Sequence, residues 1–261
     1  MDFREHIQLG RTDLKASRLG LASGYGIEQA SIEKAFHEYK VNYFFWSTPR
    51  SKKMKAALKH LAVKHRDEMV ITAQSYDHSG LLTKHALEKA LRTINSDYID
   101  VFILGWFQKY PPGRIIDQAL KLRDEGKIKY IAISGHNRKL FGELVKKEDS
   151  EIDVIMARYN ASHPGAEQDI FPHIKNDNKP GLVAYTATCW GKLMNKRKMP
   201  KGVEPLTASD CYRFALSSNH FDVCITGPKN EKQMLEGFEA LDKGKLSDEE
   251  MERVREVGSF I

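Results

Sequence analysis

Eight short apolar segments, each followed by an amphipathic stretch, succeed one another along this sequence, and that alternation constrains the fold more than any single motif. The segments occupy residues 17–23, 42–46, 69–75, 98–106, 128–134, 153–160, 181–187 and 221–227. Several are nearly continuous apolar runs, the pattern of parallel strands buried on both faces. Between them, helices of one to two dozen residues are expected. "ASIEKAFHEYK" places Ile32, Ala35, Phe36 and Tyr39 on one face, and "SKKMKAALKHLAVKHR" does the same with Met54, Leu58, Leu61 and Ala62. "IIDQALKLRDEGK" carries Ile115, Ile116, Ala119 and Leu122, with Gly126 placed to end the helix.

Ahead of the first segment, "HIQLGRTDLKAS" reads as a small hairpin turning near residues 10–13, a plug for one end of a barrel. After the eighth, "LSDEEMERVREV" reads as a terminal helix capped by Ser247, with Glu250 at capping-box spacing. No linker rich in Pro, Gly or Ser divides the series, so the expectation is an α/β fold: a single (β/α)8 TIM barrel with an N-terminal β-hairpin, spanning residues 1–261 as one domain. A doubly wound open sheet would call for a phosphate-binding G-x-G-x-x-G after the first strand. Here glycines stand at 24 and 26, but position 29 is Gln.

Composition narrows the class. With 261 residues, 41% of them hydrophobic and 29% charged, the chain has enough apolar mass for such a core. The formal charge of +6 is spread along the helical segments, apart from "KLMNKRKMPKG" at residues 192–202. No nucleic-acid-binding motif accompanies that run, which reads as a solvated loop beside an anion-binding mouth. Three cysteines at irregular spacing form no metal or disulfide framework and suit a reducing cytoplasm. A start charged from its second residue is no signal peptide, and no apolar run approaches the roughly 20 residues of a membrane span. A cytoplasmic protein taking a small molecule, with neither nucleic acid nor membrane as partner, is expected.

In a barrel, functional groups stand at the C-terminal strand ends. The strongest local signal there is "CITGPKNEKQMLEG", where a strand meets a Gly-Pro turn, Lys229 and then a helix start whose free N–H groups suit a phosphate. "ISGHN" and "RYNASHPGAEQ" supply His136, His163 and Arg158 as possible acid, base or anion holder. An Arg158 turned into the mouth must meet Glu167, Asp77 or a ligand group; the strand's parity leaves that direction open. Neither a paired-histidine metal motif nor a G-x-S-x-G elbow occurs.

Taken together, "LGRTDLKASRLGLAS", "DYIDVFILGW", "LRDEGKIKYIAISGHN" and "TGPKNEKQMLE" resemble the aldo-keto reductase family, over residues 9–241. The resemblance implies NADPH-dependent carbonyl reduction without a metal. Carried over by position, the family's catalytic aspartate falls on Trp46, its tyrosine on Ser51, its lysine on Gln74 and its histidine on Gly105. None of these can reproduce the general acid, which contributes roughly 10² to 10⁴ in rate. On the cofactor side, Tyr185 falls where an aromatic ring stacks on nicotinamide. Ser134 falls at a carboxamide-holding position, while its asparagine partner is Gly135 and a glutamine position is Met156. Gly227, Lys229, Asn230, Gln233 and Glu236 fit the adenosine-side segment, with Lys229 the main support for an NADP 2′-phosphate and Gln233 in an arginine's place. The chain is similar to a divergent bacterial branch in which "NYFFW", "AQSY", "RYNASHPGAE" and "TATCWG" replace the usual motifs.

Three readings stand at this level. One is an NADP(H)-binding oxidoreductase with a replaced catalytic site, using His136, His163 or Tyr76 as acid and Arg158 as anion holder. Another is a non-redox lyase or isomerase using Arg158, His163 and Glu167. The third is a ligand-binding or regulatory barrel without turnover, its pocket lined by Trp46, Trp106 and Trp190.

Overall fold

The computed structural model describes residues 2–46, 51–75, 80–175 and 178–261. Two short antiparallel strands come first, β1 (Ile7–Gln8) and β2 (Lys15–Ala16), which form the expected hairpin. Then follow β3 (Leu19–Ala22), β4 (Tyr43–Trp46), β5 (Val70–Gln74), β6 (Ile99–Trp106), β7 (Ile128–Gly135), β8 (Val154–Arg158), β9 (Gly181–Tyr185) and β10 (Val223–Thr226). These eight are parallel and close in chain order, β10 pairing with β3 through Cys224–Leu19, Ile225–Gly20 and Thr226–Leu21. The fold is the (β/α)8 TIM barrel that the alternation predicts.

Closure sorts the side chains by strand parity. Leu19, Leu21, Phe44, Trp46, Ile71, Phe102 and Ile155 face outward into a core shared with the helices. Tyr43, Val70, Val101, Ile103, Ala132, Val154, Met156, Val183 and Ile225 fill the barrel's interior. Large and small residues interdigitate there: a Cβ on Gly20 would stand 2.7 Å from the Tyr43 ring. Leu9, Leu14 and Ala16 of the hairpin join this interior cluster and plug its lower end. Gly10 makes the plug possible, with φ +52° and an approach to Gly181 so close that a Cβ would lie 2.2 Å from its nitrogen. Arg11 secures it by donating to the carbonyls of Lys147, Glu148, Ser150 and Ile152.

The helices follow their predicted faces. α1 (Gln29–Tyr39) buries Ile32, Ala35 and Phe36; α2 (Lys52–His65) buries Met54, Ala57, Leu58 and Leu61. Next come α3 (Gly80–Ile94) and α4 (Gly113–Asp124), the latter burying Ile115, Ile116, Ala119 and Leu122 ahead of Gly126 at φ +69°. Two helices fall short of the expected length. α5 (Arg138–Leu144) has 7 residues, and α6 (Ala166–Asp169) has 4 before a 3-10 turn, Phe171–His173. Pro164, Pro172 and Pro180 interrupt the backbone after the sixth barrel strand. In the same region Tyr159 stacks on Phe214 and on Phe221, with ring centroids 5.1 Å apart in each case. α7 (Ala208–Ser217), α8 (Glu231–Lys243) and α9 (Asp248–Ser259) complete the ring.

The predicted capping box at Ser247 and Glu250 is present, and Glu250 does more than cap. Its two oxygens accept from both terminal nitrogens of buried Arg213 at 2.7 Å, and that guanidinium also holds the Gly244 and Lys245 carbonyls. The pairing with Arg213 lowers the Glu250 pKa to about 2. A carboxylate depressed on folding adds stability above its unfolded pKa, and that contribution disappears as pH falls through the folded value. Because solvent screens this partly exposed carboxylate, Glu250→Gln should cost about 1 kcal/mol at pH 7, lowering Tm by roughly 2–4 °C. The gap from wild type should narrow from about pH 4.5 toward pH 2, as thermal melts at stepped pH would record.

Candidate active site

A cavity of about 630 Å³ opens at the C-terminal ends of the barrel strands, within the size range of small-molecule sites. Nearly every strand contributes to its wall: Ala22 from β3, Phe45 from β4, Gln74 from β5, Trp106 from β6, Ser134 from β7, Met156 from β8 and Tyr185 from β9. Gly227, Lys229, Gln233 and Glu236 line it from β10's end and α8. The exposed indoles of Trp106 and Trp190 lie on the same wall.

β4 corrects the reading of Trp46. That side chain is 3% exposed and packs outward with Phe44 against the helices. Its neighbour Phe45 has the inward parity of Tyr43 and lines the cavity. An aromatic residue does end this strand at the mouth, but it is a phenyl ring one position earlier. The period-two alternation starting from Tyr43 is the signal that finds it. Of the three tryptophans expected around the pocket, Trp106 and Trp190 line it and Trp46 does not.

Gln74 points inward as its register demands and donates through Nε2 to Ser134 Oγ at 3.4 Å. Ser134 Oγ in turn donates to the Gly105 carbonyl at 3.1 Å. Gly105 has φ +136°, and here β6 slips against β7, so that Ile103 opposes Ala132 while Trp106 opposes Ser134. This bulge carries Trp106 to the mouth and returns the Phe107 N–H to the Ser134 carbonyl at 2.8 Å. The Phe107 carbonyl then lies where a Cβ at position 135 would be, 2.3 Å from it. Gly135 is thus a packing requirement, and no asparagine fits beside Ser134. Ser51 is buried as the N-cap residue of α2; its Oγ has no hydrogen-bond partner among the described residues, and it does not line the cavity.

Tyr185 presents its ring to the cavity while its hydroxyl donates to the Gly135 carbonyl at 3.1 Å. Burial raises its pKa to about 12, partly opposed by Arg158, so the phenol is a poor acid near neutrality. The His136 ring lies parallel to it, with centroids 6.2 Å apart, and meets Trp106 edge-on at 5.3 Å. Burial and the Arg158 charge lower the His136 pKa below its usual value. His163 lies beyond the cavity wall, with Nδ1 3.1 Å from Asn160 Oδ1 and 3.9 Å from Cys189 Sγ. Tyr76 and Asp77 lie outside the described residues.

At the other end, Asn230 does not line the cavity; its side chain caps α8 by accepting from the Gln233 N–H at 2.9 Å. Gln233 Oε1 accepts from the Lys229 N–H at 3.0 Å. The ammonium of Lys229 stays at the exposed mouth, where the α8 N-terminus adds its dipole. Glu167 is committed elsewhere, accepting from Arg255 and from the Tyr159 hydroxyl at 2.7 Å. Its partners among the described residues therefore lie on α9 and on Tyr159 rather than on Arg158.

The sequence profile of the Aldo/keto reductase family matches residues 48–210, more than half of the chain. The protein belongs to that family. Among solved structures, it is similar to the aldo-keto reductase AKR11C1 from Bacillus halodurans in its holo form. That match has a TM-score of 0.79 and 20% identity, covering 97% of this chain and 96% of the other. The apo form of the same enzyme gives a TM-score of 0.77 at 20% identity, covering 97% and 95%. The structure of PA4992 from Pseudomonas aeruginosa gives 0.69 at 17% identity, covering 92% and 97%. No curated protein matches the sequence.

Position 135 gives a direct check of the β6–β7 geometry. Restoring the asparagine by Gly135→Asn should push Phe107 away and cost about 1–3 kcal/mol, lowering Tm by roughly 3–10 °C. Differential scanning calorimetry would measure it, and an unchanged Tm would refute the close approach.

Proposed function

We propose that this protein is an NADP(H)-binding oxidoreductase whose catalytic site has been replaced relative to the family's usual one. The observation that carries the reading is the continuity of one cavity between Ser134 and Tyr185 at one end and Gly227, Lys229 and Gln233 at the other. These are the nicotinamide-side and adenosine-side positions that the family resemblance picks out. The groups present fit the cofactor. Ser134 Oγ keeps a free acceptor site beside Gln74, as a carboxamide requires. Thr186 lines the cavity with an Oγ1 that is buried and has no hydrogen-bond partner among the described residues. Lys229 and the α8 N-terminus provide the charge for a phosphate.

Bound there, the cofactor would supply a hydride. The protein's own residues would orient it and exclude water. Phe45, Gln74 and the bulged Gly105–Trp106 turn offer no strong acid. The acceptor is accordingly an activated electrophile that needs little proton assistance, with His136, stacked 6.2 Å from the ring of Tyr185, as a donor on the same wall. His163 and Tyr76 are the remaining acid candidates. A barrel that binds its ligand without turnover would use the same aromatic lining, and the assay below separates the two.

NADPH titration followed by quenching of tryptophan fluorescence tests the cofactor. Binding should be micromolar, tighter for NADPH than for NADH, and about tenfold weaker in Lys229→Ala, a change of about 1.4 kcal/mol. Absence of binding at millimolar NADPH would end this reading. Loss of NADPH absorbance with quinones or α,β-unsaturated ketones would exclude a barrel without turnover.

A further inference from the structure

We propose that Arg158 is the anion-holding residue of the barrel mouth, and that the small molecule taken there carries a carboxylate on a planar skeleton. This rests on reading the mouth as a reductase substrate site, and it names the substrate class.

Arg158 ends β8 opposite Tyr185 on β9. It shares the parity of Val154 and Met156, which face the interior, and stands just behind the cavity wall, within electrostatic reach of the wall residues His136 and Tyr185. It is half-buried, yet it makes no hydrogen bond or ion pair with any described residue. Other arginines of this protein are matched: Arg66 to Asp100, Arg138 to Asp169, Arg213 to Glu250 and Arg255 to Glu167. The pairs of Arg138 and Arg255 matter here, because Asp169 and Glu167 are the carboxylates that follow Arg158 most closely in sequence, and both are occupied. A half-buried guanidinium without a counter-ion loses hydration and keeps its five donors unspent. That cost is offset when an anion arrives.

The surroundings are built to the same end. The charge of Arg158 reaches His136, Tyr185 and His163, and Lys192 adds to the positive field at His163. Both imidazoles are held toward their neutral form, so they add little repulsion between cations and can still donate a hydrogen bond. Among the described residues, Glu236 is the single acidic member of the cavity wall, and it sits on α8 at the other end. One guanidinium fork matches one planar carboxylate in bidentate geometry. A phosphate is better served at Lys229, where a helix N-terminus assists. The adjoining aromatic surface of Trp106, His136 and Tyr185 favours a flat, unsaturated skeleton.

Benzoate and benzyl alcohol, which share a ring and differ in charge, test this by tryptophan fluorescence. Wild type, Arg158→Ala and Arg158→Lys would each be titrated, with circular dichroism melts to confirm folding. Wild type should bind benzoate at least about tenfold more tightly than benzyl alcohol. Arg158→Ala should erase that preference, and Arg158→Lys should retain part of it. Should the alanine variant fail to fold, Arg158→Gln takes its place in the same comparison. Equal binding of the two probes by wild type, no benzoate binding at tens-of-millimolar concentration, or a preference intact in a folded neutral variant would each overturn the proposal. A parallel NADPH titration keeps the two readings apart. A benzoate preference that follows Arg158 without NADPH binding supports the anion site and refutes the cofactor. NADPH binding without a benzoate preference does the reverse.

Discussion

Every feature of the mouth depends on the closing of β10 onto β3. The seam is fixed by the Cys224 N–H donating to the Arg18 carbonyl at 2.8 Å and by Thr226 Oγ1 donating to the Gly20 carbonyl at 3.0 Å. Once the sheet is closed, no strand can slip by one residue without turning its apolar set inside out. Which side chains reach the mouth is then decided by register, and Phe45, Gln74, Ser134, Met156 and Tyr185 arrive there together. The hairpin plug shuts the opposite end. A second cavity of about 560 Å³ near Asp13, Lys15 and Asp100 lies at that lower end, on the face where barrels place stability rather than catalysis.

Gly105 and Gly135 belong to a single structural feature. Gly105 adopts a backbone conformation that is costly for any residue with a Cβ. The bulge so formed carries Phe107 across Gly135, and Ser134 ties it down by bonding to the Gly105 carbonyl. A side chain at either glycine would undo the other's packing. Two glycines that look independent in the sequence are coupled through one bulge, which places an indole beside His136.

Much of this was legible before any coordinates. The strand–helix rhythm, the buried faces of α1, α2 and α4, the hairpin and the Ser247 capping box follow from periodicity and cap chemistry. The failure at Trp46 has a physical origin. A strand buried on both faces reads "YFFW", with no polar alternation to mark which side is inward. Only pairing with β3 and β5 sets the phase, and those contacts are not local in sequence. The same ambiguity left the direction of Arg158 open. The brevity of α6 is signalled by the prolines at 164 and 172, which a regular βα rhythm disguises, whereas no such breaker marks the short α5. The commitment of Glu167 to Arg255 could not be read at all, since that partner comes from the last helix.

The loop after β9 shows where the fold accepts strain. Thr186, Cys189 and Trp190 all have positive φ, at 55°, 49° and 54°, without being glycine. Residues held in that region cost about 1–3 kcal/mol each and persist only where surrounding structure over-determines them. Here the buried Cys189 and Leu193 anchor the turn, and the Cys189 N–H donates to the Thr186 carbonyl at 2.9 Å. What the strain produces is a 60% exposed indole at Trp190 and a Thr186 hydroxyl without a partner among the described residues, both on the cavity wall. Packing alone would bury that indole and satisfy that hydroxyl. The fold thus spends stability to hold an apolar ring in solvent and a hydroxyl unsatisfied among the described residues, on the wall that Tyr185 shares from the strand beside Arg158.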